Sequence, residues 1–356
     1  MSAFAIYRLP HADHSFFVRQ TEGEPEELHS CAELNGREGF VVAPFEVTPE
    51  QPILLIRGDE SFLWKEESFL WKEESLLWKE ESLSTFHFPL SSMNTYAIDF
   101  ANFHAQLEAG IFRKIVLARC ATEHLPQGVS PLDLYAEACK RYPRMFVSLV
   151  YTEKSGLWLT ATPEILLEGS GNSWRTIALA GTMKLEGEQL NGEGESLTWG
   201  TKDIQEQRYV ATYITECLER FTSDFVEDGP RTVRAANLVH LRSDFTFSLP
   251  DDQHVGDLLQ ALHPTPAVCG LPKREAFRFI TQNECTPRRY YSGFMGPLSL
   301  RDSTHLYVSL RCMNIAADQC LLYAGGGLLK DSRMEQEWKE TEAKMETMRG
   351  LLGIKS

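Results

Sequence analysis

The sequence contains no apolar run long enough to span a bilayer, which takes about 20 residues. Its first 19 residues lack the basic flank and apolar core of a secretion signal. Its eight cysteines (Cys31, Cys120, Cys139, Cys217, Cys269, Cys285, Cys312 and Cys320) are scattered, without a C-x-x-C pair. That argues against a zinc ribbon or a disulfide framework and fits a reducing, cytoplasmic setting. Positive charge is also short: 35 Lys and Arg face 50 Asp and Glu, a net charge of −15. A nucleic-acid binder needs the opposite balance. The expectation is a soluble protein with neither a nucleic-acid nor a membrane partner. The deficit also sets a condition. If the substrate is an anion, the chain must concentrate positive groups locally or bind a divalent cation.

What is present is an ordinary globular composition, 43% hydrophobic and 24% charged over 356 residues. That is length for one large domain or two ordinary ones. Residues 40–44 and 53–57 read as strands. Residues 61–67 and 68–74 both spell SFLWKEE, and 75–81 spells SLLWKEE. The apolar residues of each copy are consecutive, not spaced as a coiled-coil seam, so 61–81 reads as a surface insertion with few contacts to the rest. Beyond residue 95 the spacing predicts helices at 96–110, 130–142, 197–221, 254–261 and 334–352. Strands are predicted at 111–120, 145–151, 156–161, 176–181, 233–241, 291–297, 305–316 and 319–325. Without a steady βαβ period, the fold class is α+β, with large, mostly antiparallel sheets and helices outside.

Several residues stand out chemically. Lys114, in IFRKIVLAR, shares a strand face with Val116 and Ala118. It is either an edge charge or a desolvated lysine able to act as a base. Glu164, in ATPE, leaves its strand through the Pro163 turn, either solvated or as the acid complementing such a base. Glu337, Glu340 and Lys344 share one helical face, which is a charged outer face or a site. Gly325, Gly326 and Gly327 precede that helix and leave backbone N–H groups open to a ligand. Glu206, at a helix start, is either a dipole-favoured carboxylate or a partner of Glu340 on a hard cation such as Mg²⁺.

These pieces occur together and in order. RKIVLAR (113–119), ATPE (161–164), LAGT (179–182), KDIQEQ (202–207) and VHL (239–241) are followed by HPTPAVCG (263–270), SGFMGP (292–297), SLRC (309–312) and YAGGGL…EQEWKETEAK (323–344). On these motifs the chain resembles the chorismate-utilising enzymes from residue 96 to 352. That family includes isochorismate synthases, salicylate synthases and the synthase subunits for anthranilate and aminodeoxychorismate. The resemblance implies a single domain whose two large sheets enclose a deep site. Residues 1–95 would supply the N-terminal part of the fold, short for the family and carrying the insertion, and 96–356 the chorismate-binding region. It implies Mg²⁺ on Glu206 and Glu340, with Glu337 close by through water, holding the ring carboxylate of chorismate. Arg311 and Tyr291 would take the enolpyruvyl carboxylate, helped by backbone near Gly325 and Gly326, and Lys344 would add charge. His240 would line the ring unless it is simply a core histidine. Gly181 and Thr182 would close the wall near the leaving hydroxyl.

Within the family, Lys114 stands where water-using members have their base. Ala267 stands where amine-adding and salicylate-forming members usually carry threonine. The pair implies conversion of chorismate to isochorismate, with Lys114 as base and Glu164 as acid, and menaquinone biosynthesis as the expected consumer. The alternatives are a salicylate synthase or a siderophore-pathway isochorismate synthase. No glutaminase subunit is expected, and the chain is expected to be a monomer or weak dimer.

Overall fold

The computed structural model describes residues 3–64, 92–185, 197–235, 238–250 and 254–354. Among the described residues, two nine-stranded sheets face each other, and every pairing is antiparallel. In spatial order the first sheet runs Gly270–Leu271, Lys114–His124, Gln319–Leu328, Cys312–Ile315, Gly156–Thr162, Phe146–Thr152, Ala3–Arg8, Ser15–Gln20 and Glu60–Trp64. The second runs Phe225–Ala235, Leu238–Ser248, Ser173–Lys184, Ile165–Ser170, Thr304–Val308, Phe294–Leu298, Gly39–Ala43, Ile53–Ile56 and Glu26–Leu28. Among the described residues, six α-helices cover the outer faces: α1 (Met93–Glu108), α2 (Pro131–Arg141), α3 (Thr201–Leu218), α4 (Val255–Leu262), α5 (Lys273–Asn283) and α6 (Met334–Leu351). The α+β class with two large antiparallel sheets is therefore as expected.

The strand period of two explains the layering. In Ala3–Arg8, Ala3, Ala5 and Tyr7 enter the inter-sheet core, while Phe4 and Ile6 pack outward under α2. Phe146 of the first sheet stacks on Tyr307 of the second at 4.4 Å, nearly parallel. α3 and α4 cover the second sheet through Val210, Ile214, Leu258 and Leu262. α2 and the C-terminal half of α6 cover the first through Leu134, Tyr135, Met345 and Met348. Covered on both faces, the central strands read as continuous apolar runs rather than alternating ones.

Several expectations need correction. The strand read at 233–241 is the middle of a hairpin, Phe225–Ala235 with Leu238–Ser248. The strand read at 305–316 is two strands, Thr304–Val308 and Cys312–Ile315, that belong to different sheets. The chain crosses between them at Arg311, whose φ is 48°. α5 escaped notice because its interior buries only Ala276 and Ile280.

The first repeat does not begin as a free excursion. Residues 61–64 complete the outermost strand, with Ser61 opposite Val18 and Phe62 opposite Phe17. The Phe17 and Phe62 rings lie 5.0 Å apart. Residues 65–81 lie outside the described residues. Because the second copy repeats SFLWKEE, deleting 68–81 should leave this edge strand, the melting temperature and the turnover essentially unchanged. Deleting all of 61–81 should uncover Phe17 and lower Tm by roughly 2–4 °C for each kcal/mol lost. Equal melting of the two variants would show that the edge strand contributes nothing.

Candidate active site

A cleft opens between the sheets, lined by Pro163, Glu164, Gly181, Thr182, Glu206, His240, Ala267, Tyr291, Arg311, Gly325, Gly327 and Lys344.

Glu164 arrives at the end of Gly156–Thr162, where Pro163 turns the chain, and only 3% of it is exposed. Burial raises its pKa from the usual 4.5 to about 8, against the opposing pull of Lys114, Lys344 and Arg311. It is thus a carboxyl that keeps its proton near neutral pH.

Lys114 opens the strand Lys114–His124, is fully buried, and lies on the face of Val116 and Ala118, as its spacing predicted. Its Nζ lies 2.9 Å from Oε1 of Glu206, one of the carboxylates that line the cleft. Glu206 is set by its neighbour Gln207, which donates to the Ala178 carbonyl at 3.1 Å and so fixes α3 on the second sheet. Burial alone would raise the Glu206 pKa. The charge and contact of Lys114, with Lys202 and Lys344 behind it, overcome this and hold it below the usual range.

His240 and Arg311 form a second unit. His240 Nδ1 is 2.9 Å from the Gly181 carbonyl oxygen, which can only accept. Nδ1 therefore carries the proton, and Nε2 presents its lone pair to Arg311 Nη2 at 2.9 Å. Burial, then Arg311 and Lys344, push the imidazole far below its ordinary pKa, so it stays neutral. Arg311 is buried, with its own pKa lowered to about 10 by that burial, and its Nη1 has no protein acceptor. A buried guanidinium with one donor unspent is a receptor for an anionic oxygen. Its left-handed backbone is strain held where it aims a side chain.

The glycine run divides by strand period. A Cβ at Gly325 would meet the Tyr291 hydroxyl at 2.8 Å, and one at Gly327 would meet Glu206 Oε1 at 2.1 Å. A Cβ at Gly326 would instead meet Glu337 Oε2 at 3.0 Å. Gly326 thus turns toward α6, and Gly325 and Gly327 toward the cleft, as a strand period of two requires. Gly181 sits in a bulge of Ser173–Lys184 with φ 71°, where a side chain would collide with Asp203.

α6 is fixed in rotation from inside the sheet. Arg119 donates to Thr341 Oγ1 at 2.7 Å and to Glu342, with its guanidinium 3.7 Å from the Trp338 ring centre. This holds Lys344 at the cleft, where Nζ donates to the Gly325 carbonyl at 2.8 Å and to Glu340 at 2.7 Å. Glu337 is buried and bonded to Lys202 through Oε1, and its Oε2 is buried without a partner. Burial and the neighbouring Glu340 raise its pKa against the pull of Lys202. Glu206, Glu337 and Glu340 do not close into a ready metal cage among the described residues. The donors nevertheless fit a hard cation: they are carboxylate oxygens, one buried and unsatisfied, and Mg²⁺ takes few protein ligands and keeps several waters.

Residues 60–353 match the family model for chorismate binding enzymes. The chain belongs to the chorismate-binding enzyme family. It is 32% identical over 268 residues to isochorismate synthase MenF of Escherichia coli K12, covering 75% of this chain and 61% of that one. It is 29% identical over 244 residues to isochorismate synthase EntC of the same strain, covering 68% and 62%. The chain thus spans about three fifths of the length of these curated relatives. A crystal structure titled putative 2,3-dihydroxybenzoate-specific isochorismate synthase DhbC, from Bacillus anthracis, superposes with a TM-score of 0.81 at 21% identity, covering 99% of this chain and 97% of that one, and shows the same fold. No helix among the described residues of this family member is long and apolar enough to cross a membrane.

Proposed function

We propose that this protein is an isochorismate synthase. Water adds to ring carbon 2 of chorismate, the double bonds shift, and the hydroxyl on carbon 4 leaves. The observation that carries the reading is Glu164, a cleft carboxyl held protonated near neutral pH by burial and coupled to a buried lysine. Paired groups with divergent proton affinities can run opposite proton transfers in one step. Lys114, once released from its pairing with Glu206 as the neutral amine, takes the proton of the attacking water, and Glu164 gives its proton to the departing hydroxyl, so one proton is taken up and one given out. The free Nη1 of Arg311 and the Tyr291 hydroxyl hold the enolpyruvyl carboxylate. His240, neutral and fixed by Gly181, braces Arg311 from behind. Gly325 and Gly327 leave room for the Tyr291 hydroxyl and the Glu206 carboxylate, which a side chain there would strike, and Thr182 closes the wall near carbon 4. Glu206 and Glu340, with Glu337 through water, would hold a Mg²⁺ that binds the ring carboxylate and withdraws charge. The anion problem of an acidic chain is then met locally, by Arg311, the lysines and that cation.

Ala267 lines the cleft without a hydroxyl that could hold ammonia or steer elimination. The decisive experiment is chromatography of the products from chorismate and Mg²⁺, with and without ammonium. Isochorismate should dominate under both conditions. Ammonium that diverts most of the flux to an amino product, or salicylate that accumulates as fast as chorismate vanishes, would replace this reading with that of a relative. A solved relative at 23% identity is titled the menaquinone-specific isochorismate synthase of Escherichia coli. We infer the same consumer here and a cytoplasmic setting, with chorismate as the only partner the site requires.

A further inference from the structure

Each of the three carboxylates assigned to the cation holds a different lysine. Glu206 has Lys114 at 2.9 Å, Glu340 has Lys344 at 2.7 Å, and Glu337 has Lys202. Lys114 and Lys344 already have parts in the reaction, but Lys202 has none. It lies on the first turn of α3, four residues before Glu206, with a third of its side chain exposed, while Glu337 is 1% exposed. A buried carboxylate without a counter-charge is costly, and Glu337 already leaves one oxygen unsatisfied. The lysine beside it combines two properties: it reaches the buried carboxylate, and its stem opens to solvent.

We propose that Lys202 is a displaceable internal cation. It neutralises Glu337 in the metal-free protein and swings toward solvent when the divalent ion enters. The inference rests on the cation site of the proposed function and adds an exchange to it: one ammonium out, one metal ion in. Two consequences follow. The metal-free protein is protected from repulsion among Glu206, Glu337 and Glu340. The apparent metal affinity is lowered, because part of the intrinsic binding energy is used to expel the lysine. Lys202 is a positioning residue under this proposal, since it acts through Glu337 and touches no reacting atom.

The test measures Mg²⁺ binding by calorimetry and melting temperature with and without Mg²⁺, on the full chain without substrate. Lys202→Met keeps the stem and removes the charge. Its metal-free form should melt below wild type, its Mg²⁺ affinity should tighten by about 10-fold, and Mg²⁺ should raise its Tm more than that of wild type. Lys202→Arg keeps the charge and should bind Mg²⁺ no more tightly than wild type. Should Lys202→Met fail to fold, Glu337→Gln supplies the second arm. With no carboxylate left to pair, the metal-free protein should keep its melting temperature, and adding Lys202→Met to it should leave Mg²⁺ affinity unchanged. Mg²⁺ binding to wild type that Lys202→Met leaves unchanged or weakens overturns the exchange and spares the cation site. Absence of Mg²⁺ binding to both proteins overturns the exchange and the cation site together.

Discussion

Glu164→Gln is expected to lower kcat by at least ~10²-fold while leaving chorismate binding near its wild-type value, because a general acid acts chiefly in the transition state. Glutamine keeps the shape and the hydrogen-bonding atoms but has no proton to give. The pH dependence sharpens the test. Burial lifts this carboxyl to about 8, so its acid form is present below that value and is lost above it. Wild-type kcat should therefore fall as pH rises through about 8, and the residual activity of Glu164→Gln should lack that descending limb. Stability carries the same signature, falling as pH rises. The unfolded carboxyl ionises near 4.5 whereas the folded one holds its proton to about 8. Wild-type stability thus drains away between those values as pH rises. The glutamine variant has no such loss. Its Tm, relative to wild type, should climb between pH 5 and pH 8.5, with a gain on the order of a few kcal/mol. An unchanged kcat, or a Tm difference that does not move with pH, would remove Glu164 from the role of acid.

Much of this site was legible in the sequence because strand and helix periods place side chains without knowledge of the fold. The alternation of IFRKIVLAR put Lys114 on one strand face with Val116 and Ala118, and the structure buries that face. The spacing of Glu337, Glu340 and Lys344 put them on one side of α6. What stayed hidden depended on contacts between segments distant in sequence. That Lys114 meets Glu206 is decided by α3, which Gln207 anchors to the second sheet. The division of 305–316 between two sheets is invisible to a hydropathy pattern, since Tyr307 and Met313 are both buried and only the backbone at Arg311 marks the crossing. Which of the three glycines turn inward was hidden for the opposite reason: a run of glycines has no side chains to reveal it.

Lys114→Ala should also lose at least ~10²-fold in kcat with chorismate binding largely kept, and here a rescue experiment tells a lost base from a lost structure. Lys114 is wholly enclosed, so alanine leaves a buried void beside Glu206. A small primary amine such as ethylamine can enter that void beside Glu206 and, as the neutral amine, accept the proton of the attacking water. Activity should return in part with added amine and should depend on the amine's basicity. Lys114→Met removes the same base but fills the same space, so it should be equally slow and refuse rescue. Both variants leave Glu206 without its counter-charge. Breaking a buried pair costs roughly 3–5 kcal/mol, and the slight exposure of Glu206, 12% of its side chain, puts the expected loss toward the lower end. Both should therefore melt below wild type in the absence of metal. Mg²⁺ should recover much of that loss, because the ion supplies to Glu206 the positive charge that the lysine no longer does. Near-normal turnover in either variant would place the base elsewhere. Rescue of the methionine variant as readily as the alanine variant would mean that the amine acts outside this pocket, and that the enclosed position of Lys114 is incidental to the chemistry.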